Sequence, residues 1–275
     1  DVVLEPRVRN ALMEELGSYG DVTTRAVIPA DTTYRATLNA REDAHVSGMQ
    51  IAALAFRLVD PSLSIKTIIA DGQTCRKGDT LMEISGSAAS ILSGERVALN
   101  FAGRLTGIAT KTAGFVARAK GTKARITCTR KTTPGLRIVE KLAVLHGGGF
   151  NHRYSLSDAI LIKDNHIAAA GGVQSVLEAT KAHASHMMAV EIEVDTLDQL
   201  AEVLNVGGAS VVLLDNMDNA MLREAVQMVD GRMATEASGN VTLDRIAEIA
   251  QTGVDYISSG ALTHSARTVD LGLEF

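Results

Sequence analysis

From Ala124 onward, short apolar runs alternate with helical patterns, and this rhythm constrains the fold more than any other feature of the chain. The runs are "ARITCT" (124–129), "AILIKD" (159–164), "MMAVEIEV" (187–194), "SVVLLDN" (210–216), "MATEAS" (233–238) and "DYISSG" (255–260). Between them, Leu197, Leu200, Ala201 and Leu204 fall at i, i+3, i+4, i+7, as do Leu222, Ala225, Val226 and Val229, and Leu243, Ile246, Ala247 and Ala250. Each set is one apolar helix face aimed at a sheet. Strand–helix alternation of this kind builds a parallel sheet through right-handed crossovers. The expected architecture is α/β: a β/α barrel, whole or incomplete, or a doubly wound sheet.

The residues before this region read differently. "PRVRNALMEEL" and "GMQIAALAFRLV" predict helices, while "TTYRATLNA" and "LSIKTIIADG" read as strands. "DGQTCRKGDTLMEISGS" carries turn signals between short strands, which suggests hairpin-like connections. Ala88 to about Thr112 reads as one long helix without proline and is the candidate boundary element. At 275 residues the chain can bury a large core without staples. Its two cysteines, Cys75 and Cys128, are too few for a disulfide framework and are expected to be reduced. No apolar run approaches the roughly 18 residues that cross a bilayer, and the first residues lack an apolar signal-peptide segment, so a cytoplasmic location is expected. A net charge of -5 offers no global attraction to nucleic acid or an acidic membrane. An anionic ligand would need a local cluster of cations.

Parallel β/α folds place ligands at the carboxyl ends of their strands, so what ends each run matters most. The ends carry Arg130 and Lys131, then Lys163 and Asp164, Glu193 and Asp195, Asp215 and Asn216, Glu236, Ser238 and Gly239, and finally Ser259 and Gly260. Arg130, Lys131, Lys163 and the Asn151-His152-Arg153 triplet can hold carboxylates or phosphates, because guanidinium forks bind such groups in two-point fashion and lysine acts as a point charge. Glu193 and Asp215 can hold magnesium, and through it a pyrophosphate, or can pair with the lysines. "ASGN" and "SSGALTHSA" have the composition of phosphate cups and equally of helix caps. In "TRKTTPG" (129–135), strand alternation would send Arg130 and Lys131 in different directions, and Thr132 or Thr133 would cap a helix started by Pro134. The three glycines of "HGGGFNHR" fit a helix end and a turn, and the six-residue separation of His146 and His152 is no zinc spacing.

Taken together, "GDVTT" (20–24), "GERVALN" (94–100), "TRKTTPG", "HGGGFNHR" (146–153), "LIKDNH" (161–166), "EIEVDTL" (191–197), "LLDNM" (213–217), "EASGN" (236–240) and "GVDYISSGALTHSA" (253–266) closely resemble the quinolinate phosphoribosyltransferase family over most of the chain. The resemblance implies an N-terminal α/β sandwich domain over residues 1–108 and an open β/α barrel of six or seven strands over 109–265. The tail 266–275 would pack with the first domain. It implies conversion of quinolinate and phosphoribosyl pyrophosphate to nicotinate mononucleotide, pyrophosphate and carbon dioxide, a step of NAD biosynthesis, by a magnesium-using homodimer or larger assembly with shared sites. Arg130, His152, Arg153 and Lys163 look like the quinolinate-binding set, with Lys131 near the phosphates and Arg96 lent by a neighbouring subunit. Glu193 and Asp215 match an acidic pair near the ribose and magnesium-pyrophosphate, and Ser238, Gly239, Ser259 and Gly260 fall in the 5′-phosphate loops. Two residues depart from the family's pattern: Asn240 stands where a glycine is usual and Ser259 where a valine is common.

Three other readings share parts of this pattern. A Schiff-base aldolase would use Lys163 as its amine. A related phosphoribosyltransferase-like protein of molybdenum metabolism would share the fold, but the intact Arg130, His152, Arg153 and Lys163 set favours quinolinate. A non-catalytic sugar-phosphate binding protein would not need to keep the charges of the site.

Overall fold

The computed structural model describes residues 2–275. In chain order the elements are α1 (Glu5–Leu16), α2 (Val22–Val27), β1 (Thr33–Ala40), β2 (Ala44–His45), α3 (Met49–Val59), β3 (Ser64–Thr67), β4 (Thr74–Cys75), β5 (Thr80–Ser87) and α4 (Ala88–Ala119). Then follow β6 (Arg125–Thr127), α5 (Arg137–His146), β7 (Ile160–Ile162), α6 (Asp164–Ala170), α7 (Val173–His183), β8 (Val190–Val194), α8 (Leu197–Val206), β9 (Val211–Asp215) and α9 (Asn219–Val229). The chain closes with β10 (Ala234–Ser238), α10 (Ile246–Ala250), β11 (Tyr256–Ser258), α11 (Ala261–His264) and β12 (Leu271–Glu274). Two compact units result. One contains the chain up to Ala113 with Thr132–Gly148 and Thr263–Phe275, and the other contains Gly114–Lys131 and Gly149–Leu262. Among the described residues, no helix is long and apolar enough to cross a membrane.

The first unit is built on an antiparallel sheet in the order β12-β1-β5-β3. Strands β1 and β5 bury Ala36, Leu38, Leu81, Met82 and Ile84, and α3 is buried along almost its whole length. Asp71 caps α3 from a distance: its carboxylate accepts the backbone N–H of Met49 at 2.8 Å and of Gln50 at 3.3 Å. Gly94 lets α4 approach α3, since a Cβ there would lie 2.9 Å from the Phe56 ring. The hairpin expected in "TCRKGDTLM" does not form. Gly78 turns the chain at φ 93, but β4 pairs with β2 while β5 pairs with β1 and β3, so the turn joins strands of different sheets. Helix α4 runs seven residues beyond Thr112, because Gly114 interrupts neither the apolar pattern nor the backbone ladder.

A buried ion pair ties this unit together. The Glu140 carboxylate, wholly inaccessible on α5, accepts from Arg104 Nε at 3.2 Å and Nη2 at 2.9 Å. It also accepts the Thr133 hydroxyl at 2.7 Å and the Thr133 N–H at 3.1 Å. Helix α5 therefore starts at Arg137, not at Pro134, and carries no side-chain cap from either threonine. Pro134 opens a turn, and Thr133 donates to Glu140 where capping would have required it to accept.

The second unit is the expected α/β structure. All six apolar runs form parallel strands, in the order β6-β11-β10-β9-β8-β7, a barrel-like sheet left open between β6 and β7. Ile192 and Val194 on β8 and Val212 and Leu214 on β9 are buried on one face. By the two-residue period of a strand, Glu191 and Glu193, Leu213 and Asp215, and Glu236 and Ser238 share the other. Helix α8 starts with a capping box between Thr196 and Gln199, and Asp218 caps α9. The α9 face is as expected, with Leu222, Ala225 and Val229 buried. On α8 the buried pair is Leu200 and Val203, and Ala201 is exposed. Leu243 is 38% exposed because the chain from Leu243 to Arg245 is a 3-10 turn and α10 begins only at Ile246.

Candidate active site

The strands of the second unit end around a pocket of about 400 Å³. Arg130 and Lys131 enter it after β6, Lys163 after β7, and Glu193 and Asp215 from the ends of β8 and β9. His152 and Arg153 come from the segment between α5 and β7, and Glu236 and Ser238 from β10. Arg130 and Lys131 share the pocket despite being adjacent, because β6 ends at Thr127 and strand alternation no longer applies beyond it. Gly239, Ser259 and Gly260 are not among the residues lining it, and Arg96 is exposed on α4. Ser258, one residue earlier than expected, does line it.

The charged groups form a graded arrangement. Lys163 Nζ meets Glu193 Oε2 at 2.5 Å, with the lysine half-exposed and the carboxylate nearly covered. Register places Glu193 opposite Leu213, two residues before Asp215 on the neighbouring strand. The Asp215 carboxyl is raised above its ordinary range chiefly by burial and next by Asp195, while Lys163 and Lys131 oppose the rise. Burial and then the nearby Arg130 charge weaken the hold of Arg153 on its proton. Its Nη1 donates to the Ala159 carbonyl at 2.8 Å, which fixes the guanidinium on the pocket wall.

Below these groups lies a buried cluster. His152 Nδ1 accepts the Arg153 backbone N–H at 2.8 Å, and His152 Nε2 lies 2.8 Å from Glu191 Oε2 and 3.7 Å from Glu236 Oε1. The Glu236 carboxyl is pushed up to about 7, first by burial and then by the charge of Glu191, with His152 pulling the other way. Glu236 is a residue that the strand ends pointed to, whereas Glu191 is not. The signal for Glu191 was present in the alternation Glu191-Ile192-Glu193, which puts both carboxylates on one face of β8.

The rim where β9 and β10 end is set by backbone geometry. Gly239 has φ 83, and a Cβ there would lie 2.2 Å from Asn216 Oδ1 and 2.8 Å from the Asn216 backbone nitrogen. Asn216 and Asn240 also occupy the left-handed region, at φ 54 and φ 48. Asn240 Nδ2 donates to Asn216 Oδ1 at 3.2 Å. Asparagine tolerates this conformation better than most residues, so the turn survives where a glycine is usual. Ser259 is buried: its N–H donates to the Thr127 carbonyl at 3.1 Å and its hydroxyl accepts the Ala261 N–H at 3.3 Å, capping α11.

Known proteins resemble the chain in sequence and in fold. Residues 21–106 match the family model "Quinolinate phosphoribosyl transferase, N-terminal domain", and residues 108–274 match its C-terminal counterpart. The chain is 43% identical to quinolinate phosphoribosyltransferase [decarboxylating] 2b, mitochondrial, from Nicotiana tabacum, over 98% of its own length and 82% of that protein's. It is 38% identical to a probable nicotinate-nucleotide pyrophosphorylase [carboxylating] from Bacillus subtilis, over 98% of this chain and 93% of that one. Among solved structures, NadC from Streptococcus pyogenes superposes with a TM-score of 0.95 at 38% identity, covering 99% of this chain and 95% of the other.

Proposed function

The chain belongs to the quinolinate phosphoribosyltransferase family, and we propose that the pocket at its strand ends is where it transfers the phosphoribosyl group from phosphoribosyl pyrophosphate to quinolinate. Decarboxylation follows, giving nicotinate mononucleotide, pyrophosphate and carbon dioxide, a step of NAD biosynthesis. The observation that carries the assignment is the convergence of Arg130, Lys131, Arg153 and Lys163 with Glu193 and Asp215 on one pocket of an otherwise acidic protein. Quinolinate brings two adjacent carboxylates and the donor brings phosphate and pyrophosphate. Gathering such like charges requires concentrated cations.

The arginine pair, half-buried and fork-shaped, takes the carboxylates. The two exposed lysines meet phosphate oxygens as point charges, which moves Lys163 from the quinolinate set that the resemblance implied to the donor's side, and Lys163 keeps a carboxylate partner in Glu193 until the ligand arrives. The ring nitrogen of quinolinate attacks the anomeric carbon of the donor as the bond to pyrophosphate breaks, and the positive character that develops on the ribose is stabilised by Glu193 or Asp215. The ring nitrogen is then cationic. The bond from the adjacent carbon to its carboxylate breaks, the electron pair stays on that carbon beside the positive nitrogen, and carbon dioxide leaves. A proton completes the product.

Glu193 and Asp215 suit a magnesium ion by donor type, being carboxylates on neighbouring strands in a crowd of acids that includes Asp195. Bound there with the substrate, magnesium would neutralise charge on the departing pyrophosphate. Gly239 lets the backbone of the β10 loop come close to the 5′-phosphate, with Ser238 beside it in the pocket. Ser259 and Gly260 shape the loop that follows β11. The enzyme works in the cytoplasm as a homodimer or larger assembly in which Arg96 of the partner subunit reaches each pocket. The exposure of Arg96 on α4 supports that reading.

The test is an assay of carbon dioxide and nicotinate mononucleotide with quinolinate, phosphoribosyl pyrophosphate and magnesium. Arg130→Ala and Arg96→Ala should each lose about 2–5 kcal/mol of transition-state stabilisation, the cost of truncating one partner of a charge pair that is buried once substrate fills the assembled site. Mixing the two variants under subunit exchange should restore part of the activity through heterodimers with one intact site. A wild-type chain that forms neither product sinks the assignment, and mixing without recovery sinks the shared site.

A further inference from the structure

The hydrogen bonds of His152 leave little for a ligand. Nδ1 accepts the Arg153 backbone N–H at 2.8 Å, so the ring proton sits on Nε2, and Nε2 faces Glu191 Oε2 at 2.8 Å. Glu236 Oε1 stands behind at 3.7 Å from the same nitrogen. Both glutamates are under a tenth exposed, and Glu191 Oε1 and Glu236 Oε1 are buried without a hydrogen-bond partner. Such carboxylates are costly to bury, so their retention beneath two arginines needs a reason.

We infer that Glu191 is a positioning residue: by taking the Nε2–H of His152 it pins the imidazole, with Glu236 packed behind the same nitrogen, which leaves Arg130 and Arg153 as the donors that grip the quinolinate carboxylates. This changes the role that the resemblance gave to His152, from a direct ligand to a wall of fixed orientation. Charge supports the same placement. Burial and then the Arg130 charge weaken the hold of Arg153 on its proton, and Glu191 acts on Arg153 in the opposite sense.

The inference rests on the pocket being the quinolinate site, so its test separates the two. Histidine-labelled wild-type enzyme is examined by two-bond ¹⁵N–¹H correlation, with His152→Asn identifying the signal. The expected result is the Nε2–H tautomer, unchanged when quinolinate is added. A ring protonated at Nδ1, a ring whose Nε2 has no proton because a metal ion bound to His152, Glu191 and Glu236 has replaced it, or a tautomer that switches on quinolinate binding would each overturn the inference. Glu191→Ala should lower kcat/KM for quinolinate about 100-fold, the scale of a misplaced neighbour, while KM for phosphoribosyl pyrophosphate stays within about threefold. Glu191→Gln keeps an acceptor oxygen and should recover most of the loss. Glu191→Ala with wild-type quinolinate kinetics, or Glu191→Gln as poor as Glu191→Ala, refutes positioning through the hydrogen bond. Should Glu191→Ala fail to fold, the tautomer in the wild-type protein and the kinetics of Glu191→Gln still decide. A wild-type enzyme inactive on quinolinate would instead remove the substrate assignment and leave the tautomer result standing.

Discussion

Replacing Glu140 by alanine tests the largest electrostatic commitment in the first unit. The carboxylate is fully buried and accepts four hydrogen bonds, two from Arg104 and two from Thr133. Arg104, whose side chain is 24% exposed, keeps only the Ala266 and Thr263 carbonyls when the acid is removed. Its charge then stays largely buried without a counter-charge, and the Thr133 N–H and hydroxyl lose their acceptor. Breaking a buried pair from one side costs about 3–5 kcal/mol, so thermal denaturation followed by near-ultraviolet circular dichroism should show a midpoint lowered by roughly 10 °C at the usual few degrees per kcal/mol. The double variant Arg104→Met/Glu140→Leu removes both charges and should recover most of that loss, giving a strongly non-additive cycle. A Glu140→Ala midpoint within a degree of wild type, or additive effects in the cycle, would refute the view that the pair is one coupled unit.

Glu236→Gln should change the pH dependence of stability. The raised Glu236 carboxyl keeps its proton in the folded chain between its ordinary 4.5 and about 7, where the unfolded chain has lost it. Wild-type stability therefore falls as pH rises through that window, by about 3 kcal/mol in all. The variant should melt with wild type below that range and progressively above it as pH rises, levelling off past neutrality; a difference that is flat in pH refutes the assignment. Gly239→Ala must place a methyl 2.8 Å from the Asn216 backbone nitrogen in a left-handed conformation that alone costs about 1–2 kcal/mol. It should raise KM for phosphoribosyl pyrophosphate at least about tenfold while calorimetry still detects quinolinate binding, and an unchanged KM would show that the loop does not meet the donor.

The strands of the parallel sheet were legible because each buried strand had to be apolar on one face and each crossover helix had to present one apolar stripe. The same logic located most of the pocket, since ligand residues collect where those strands stop. It failed where structure depends on distant partners. Nothing local marks β4 and β5 as members of different sheets. Thr133 reads as a cap and serves as a donor because Glu140, seven residues on, is the stronger acceptor. The alternation argument separated Arg130 from Lys131, yet it holds only while the backbone is extended, and β6 is three residues long. Glu191 lies two residues before Glu193 on the same face of β8, one layer deeper than the strand end, and only the alternation along the strand marks it.

That deeper layer completes a graded pocket in an otherwise acidic protein. At the bottom, Glu191 and Glu236 are buried; above them Arg130 and Arg153 are half-exposed; Lys131 and Lys163 are exposed. Each level suits a different anion. Planar carboxylates gain most from guanidinium forks in partly desolvated surroundings, where two-point geometry is retained and water competes least. Phosphate and pyrophosphate keep much of their hydration and are met by mobile ammonium groups at the mouth. An Arg130→Lys exchange would preserve the charge and lose the fork, so on this stratification it should weaken quinolinate binding while leaving donor binding nearly intact. Lys163→Arg should do the reverse, disturbing the donor and the Glu193 contact with little effect on quinolinate. Equal effects of both exchanges on both substrates would show that the pocket sorts its anions by charge alone.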